Sequence, residues 1–97
     1  MTRGDDKKFD GDKPMWDLLP FEEVEEVVKV LTMGAKKYSP DGWGTVPDGK
    51  RRYIAAAFRH IVSYVTGSKI DDESGLPHLA HAVCCLLFIM GFERSEK

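Results

Sequence analysis

Two short patterns in this 97-residue chain carry the residue types of metal and phosphate chemistry. The first is Glu22-Glu23-Val24-Glu25-Glu26. Glu22 lies three residues from Glu25 and four from Glu26, so each pair shares one side of a helix. Carboxylates this close repel one another unless something positive sits among them. The positive end of the helix dipole is one candidate, and a hard divalent cation is the other. The pattern therefore reads either as the acidic start of a solvated helix or as a metal-ligand set. The second pattern is His78 and His81, three apart on one face, a spacing at which two imidazoles can chelate Zn2+, Co2+ or Mn2+. Cys85 lies one turn beyond His81 on that face. No second Cys/His pair stands at finger spacing, which argues against a four-ligand structural zinc site. Taken together, the acidic cluster and the histidine pair, each near the start of a helix, suit the metal sites that helical bundles build from facing side chains. Lys36, Lys37, Arg51, Arg52 and Arg59 are cations that can meet phosphate oxygens. Arg59-His60 also reads as a structural pair. There is no Gly-rich phosphate loop, no nucleophile elbow and no Ser/His/Asp arrangement to point elsewhere.

Three helices must position these groups. Asp17 reads as the cap of the first, with Leu18, Leu19 and Pro20 in its opening turn. Trp16 and Phe21 then occupy the positions of a hydrophobic staple. Val24, Val27, Val28, Leu31 and Ala35 recur at helical spacing, Val30 and Met33 fall off that stripe, and the helix ends near Lys36 to Tyr38. Residues 39–49 form a loop around Trp43, a residue that either packs on the domain or stacks on a ligand. The second helix runs from Lys50 to Thr66 and stops at Gly67. Its core stripe is Ile54, Phe58, Ile61 and Val65, with Tyr53, Ala57, His60 and Tyr64 alongside. Ser74 reads as the cap of the third helix, with Leu76 and Pro77 in its first turn. The stretch from Leu79 to Phe92 is apolar on nearly every side, so that helix must be buried all round. Glu93 to Lys97 reads as a polar tail. Nothing reads as a strand. The expected fold is a small all-α bundle of three main helices in a single domain over residues 1–97, with residues 1–13 as a mobile arm. Three helices leave the third incompletely covered, so homo-oligomerisation, as a dimer or larger, completes the fold.

Bulk properties agree. The hydrophobic content of 42% suits a folded domain, and the net charge of −2 is a poor footprint for long nucleic acid. The apolar run is shorter than a membrane span, and the charged start lacks the apolar region of a signal peptide. Cys84 and Cys85 point about 100° apart on a helix and cannot bond to each other. The expectation is a soluble, cytoplasmic protein.

Several segments, in one order, resemble a known family. They are KPMWDLLP (Lys13 to Pro20), EEVVKVLTMGAKKY (Glu25 to Tyr38), a loop tryptophan, RHIVSYVTG (Arg59 to Gly67) and IDDESGLPHLAHA (Ile70 to Ala82). Over roughly Lys8 to Phe92 the chain resembles the phage-associated dATP/dGTP diphosphohydrolase N-terminal domain family. The resemblance implies a MazG-like all-α pyrophosphohydrolase that uses a divalent metal (Mg2+, Mn2+ or Co2+) to cut a purine deoxynucleoside triphosphate between its α and β phosphates. It implies host cytoplasm as the setting if the chain is phage-encoded. Glu22, Glu23 and Glu26 match the EExxE pattern of MazG enzymes, and Glu25 matches a glutamate of the closer family. The later ExxD is absent from the third helix, where His78 and His81 stand, with Asp71, Asp72 and Glu73 just upstream. The expected site follows. Glu22, Glu25 and Glu26 are catalytic and hold metal, and His78 and His81 complete the metal set. Lys36, Lys37, Trp43, Arg59, His60 and Tyr64 meet the nucleotide. The alternative is a nucleotide sponge that keeps the pocket but does no chemistry.

Overall fold

A computed structural model describes residues 11–96, so the expected arm at residues 1–13 falls mostly outside the described residues. The chain forms a three-helix bundle, with α1 over Phe21–Lys37, α2 over Gly49–Val65 and α3 over His78–Ser95. Two short 3-10 turns, Trp16–Leu18 and Gly42–Thr45, precede α1 and α2. Among the described residues there is no strand beyond an isolated bridge between Ile70 and Pro77. None of these helices is long and apolar enough to cross a membrane.

The third helix is the middle one, and both others pack on it. Its two cysteines show why an all-apolar helix suits that place. The buried Cys84 thiol donates to the Val27 carbonyl of α1 at 3.5 Å. Cys85, also buried, lies on the α2 side, where Tyr53 and Arg59 sense it. Both thiols are free, and burial pushes that of Cys84 up to about 12. The α1 contact centres on Val30, Ala80 and Cys84, with Val27, Leu31, Leu76 and Phe88 around them.

α2 runs antiparallel to α3. Gly49, at its start, lies so close to the Phe92 ring that a Cβ there would fall 2.6 Å from it. Lys50 pairs with Glu93 and Glu96 at the end of α3, and ten residues on His60 meets His78 at its start. The loop before α2 carries Trp43, which stacks on Phe88 at 4.9 Å and meets Phe92 edge-on. The end of α1 therefore lies at the Phe92 end of α3, and α1 runs parallel to α3. With Val27 level with Cys84, a shared rise of about 1.5 Å per residue brings Glu22 to Glu26 level with the head of α3.

Several sequence expectations need correction. Asp17 does not cap α1 and Ser74 does not cap α3; the caps are Pro20 and Pro77, both in extended conformation. The cause is common to both. A proline drives the residue before it out of the helical region, and Leu19 is accordingly extended at ψ 134°. A helix therefore cannot begin two residues earlier. Trp16 and Phe21 consequently make no staple and are both exposed. On α1, Val30 is the buried residue and Val28 is exposed, because a single helix neighbour selects a narrow line of contact. On α2, the apolar stripe of Ile54, Phe58, Ile61 and Val65 faces outward, with Phe58 64% and Val65 72% exposed. The inward stripe is the mixed one, with Tyr53, buried Ala57 and His60. Alanine lets α2 and α3 approach closely, and that approach brings His60 to the head of α3. The expected tail at Glu93 is helical to Ser95, steadied by Lys50.

Candidate metal centre

α2 ends at Val65, and the chain turns away at Gly67, whose φ of 113° is open only to glycine at low cost. The Gly67 N–H donates to the Tyr64 carbonyl and the Ser68 N–H to that of Ser63, closing the last turn. The following loop is cinched by its backbone. Asp71 N–H donates to Leu76 O at 2.9 Å, Gly75 N–H to Asp71 O at 2.8 Å, and His78 N–H to Lys69 O at 2.9 Å. That closure holds Asp71 over the first turn of α3, a placement the helical periodicity could not show.

Three imidazoles and one carboxylate converge there. His60 Nδ1 and His78 Nδ1 are 2.9 Å apart, so one of them carries the shared proton. The His60 ring stacks on His81 at 4.6 Å and 11°. Ser68 Oγ lies 3.3 Å from both His78 Nε2 and the Ile70 carbonyl. The network is satisfied when Ser68 donates to Ile70 and accepts from His78 Nε2–H, which leaves His78 Nδ1 bare to accept from His60. Ser74 serves the other half. Its N–H donates to Asp71 Oδ2 at 3.0 Å, and its Oγ meets His81 Nε2 at 2.7 Å while accepting from Leu76 N–H. Asp71 Oδ2 lies 3.6 Å from the same His81 Nε2. A nucleophilic triad needs serine and carboxylate on opposite ring nitrogens, so this is not one.

Among the described residues, one group of three offers ligand atoms all within 4.8 Å of one another: His60, Asp71 and His78. His78 is buried, and the other two are half-buried. The donors fit a divalent ion, with two imidazoles and a carboxylate from three separate segments. Glu22, Glu25 and Glu26 are level with this group but lie on α1 and do not join it. Glu22 and Glu25 are exposed, and Glu26 pairs with Lys29 at 2.9 Å. Arg59 adjoins His60, and Tyr64 follows one turn later, 41% exposed. Lys36 and Lys37 close α1 at the other end of the bundle, and Trp43 is packed there. Sequence spacing singled out His78 and His81 as a pair. The partner that the fold gives His78 is His60, eighteen residues earlier.

Electrostatics make the centre acid-sensitive. Burial is the main cause that lowers His60 below its ordinary 6.5, and His81 and His78 add to it. Burial also lowers His81, against the opposing pull of Asp71. Both rings are neutral at neutral pH, so the Asp71–His81 contact becomes an ion pair only on acidification. Partial burial opposes ionisation of Asp71, yet its hydrogen bonds from Ser74 and the neighbouring His81 hold it below the ordinary 3.8. The folded chain thus takes up fewer protons than the unfolded chain as pH falls. The histidine contribution to stability is complete above the unfolded value of 6.5 and is lost as pH drops below it toward the folded values. That of Asp71 is lost only as pH falls from 3.8 through its lowered value. Thermal melts of the metal-free protein between about pH 7.5 and about pH 5.5 are expected to show a falling Tm; a Tm that rises on acidification would contradict the assignment.

Residues 3–97 match the family described as dATP/dGTP diphosphohydrolase, N-terminal. The chain belongs to that family. A relative named dATP/dGTP diphosphohydrolase, from Salmonella phage PMBT28, is 37% identical over 82 residues, 84% of this chain and 28% of that protein. The chain thus spans under a third of the relative's length. No solved structure matches it. The IDDESGLPHLAHA segment, one of those that carry the resemblance, forms the cinched loop and the head of α3.

Proposed function

We propose that this member of the family is a MazG-like, single-domain unit that hydrolyses purine deoxynucleoside triphosphates, dGTP or dATP, to monophosphate and pyrophosphate with a divalent metal ion, Mg2+, Mn2+ or Co2+. The observation that carries the reading is the convergence of His60, Asp71 and His78 in a chain of this family. A bound ion supplies Lewis acidity toward phosphoryl oxygens. The chain's own residues do the rest. His60, Asp71 and His78 hold the ion. His81, neutral and held at Nε2 by Ser74, stacks on the His60 ring and orients it. Arg59 offsets charge on the phosphates, and Tyr64 offers a ring to the base. Glu22, Glu25 and Glu26 lie outside the group within one chain, so a ligand role for them requires a neighbouring subunit. Lys36, Lys37 and Trp43 lie at the other end of one bundle, so a nucleotide role for them also requires a neighbouring subunit.

The exposed stripe on α2, with Leu79, Val83, Leu86, Leu87 and Met90 exposed on α3, supports homo-oligomerisation in this reading. Phe58→Glu is expected to shift the protein to monomer in light scattering while helicity persists. An unchanged mass would place the interface elsewhere.

Incubation with dGTP or dATP and each metal, followed by chromatographic resolution, tests the activity. Deoxynucleoside monophosphate and pyrophosphate are the expected products, and intact triphosphate under every metal would refute hydrolysis. The separation of the α1 glutamates from the cluster within one chain favours a second reading, a nucleotide sponge. A sponge would release its ligand intact after heat denaturation.

A further inference from the structure

We infer that the His60–Asp71–His78 centre is built for a first-row transition ion in the range Mn2+ to Zn2+ and discriminates against Mg2+. The inference rests on the metal-binding part of the function proposed above and is independent of hydrolysis.

The donor chemistry decides the class of ion. Mg2+ demands oxygen ligands in near-ideal octahedral array and is bound through carboxylates, phosphates and retained water. Imidazole nitrogen suits the later first-row ions. Here two of three donors are imidazoles, and the carboxylates of α1 that would suit Mg2+ are outside the group. The 2.9 Å approach of two Nδ1 atoms across a helix pair is held by a single proton. An ion bound by both nitrogens takes that proton's place.

The surroundings fix the ligands as a metal site needs. Ser68 meets the remote nitrogen of His78, Ser74 N–H holds the Asp71 carboxylate, and His81 stacks on the His60 ring. Such outer contacts set ring orientation and tautomer. Three protein ligands, rather than the four of a closed structural site, leave coordination positions open. The third imidazole, His81, is engaged with Ser74 and lies outside the group. Cys85, which spacing alone offered as a further ligand, is buried on the α2 side of α3 and is not a member.

The test is direct binding without nucleotide. The full chain is titrated with Co2+, Zn2+ and Mg2+ by calorimetry, and the Co2+ complex is read by its visible absorption. Co2+ and Zn2+ are expected to bind at least about 100-fold more tightly than Mg2+. The Co2+ spectrum should carry ligand-field bands and no thiolate charge-transfer band. His60→Gln is expected to weaken Co2+ binding by about 100-fold or more, since even a lost outer contact costs 10–100-fold. Asp71→Asn should weaken it in the same direction, which keeps the test decisive should one variant fail to fold by circular dichroism. Equal affinity for Mg2+ and Co2+, a thiolate band, or undiminished binding in folded variants would overturn the inference. A protein that binds Co2+ as expected yet leaves dGTP and dATP intact would refute hydrolysis and leave the metal site standing.

Discussion

His60→Ala is expected to reduce metal-dependent hydrolysis of dGTP by about 100-fold or more while the protein stays folded. Loss of a supporting contact alone costs a metal site 10–100-fold, and His60 would be a direct ligand. The ring is half-buried and replaceable, whereas His78 is buried and bonded on both nitrogens, so its removal would confound ligand loss with unfolding. The effect should appear first as a higher metal requirement. Saturating Mn2+ or Co2+ should restore part of the rate, and Mg2+ should not. An unaltered rate and metal dependence in folded His60→Ala would move the catalytic ion to another ligand set, of which the α1 glutamates are the first alternative.

Trp43→Ala should act in the opposite way, on stability and not on chemistry. The indole stacks on Phe88 at an interplanar angle of 10° and meets Phe92 edge-on, while the Trp43 backbone carbonyl accepts from the Tyr53 hydroxyl at 3.2 Å. Gly91 permits this approach, since a Cβ there would lie 2.6 Å from the ring. The indole thus joins the loop to α3, and the Trp43 backbone carbonyl joins it to α2 through Tyr53. Its removal is expected to cost about 2–4 kcal/mol, toward the lower part of the range for large aromatics because Trp43 is only partly buried. Denaturant unfolding reads the loss, and nucleotide affinity of the folded fraction should be unchanged. Full stability with lost nucleotide affinity would make Trp43 a stacking platform instead.

These two residues mark where sequence reading succeeded and where it stopped. Three helices were legible because α1 carries apolar residues at helical spacing, α3 carries an apolar run of helical length, and Gly67 stops α2. The histidines at the head of α3 were legible as a pair because i,i+3 spacing is local. Their partners were not. His60 lies on the less apolar stripe of α2, and periodicity assigns the more apolar stripe to the core. That rule fails here because Ala57 and the small residues of α3 set the close approach, while the large stripe faces outward. Asp71 is positioned by three backbone hydrogen bonds of a loop, which leave no periodic trace. The helix starts were misplaced at both Leu-Pro sequences for one reason, the restriction that proline puts on its predecessor.

In the proposed function the catalytic ion is held by ring nitrogens of His60 and His78. Pulsed EPR of the Mn2+ complex with a non-hydrolysable dGTP analogue tests it most directly, in chain labelled with 15N-histidine. Hyperfine coupling from two histidine nitrogens is expected together with coupling from phosphorus. Phosphorus coupling with no histidine nitrogen would contradict it.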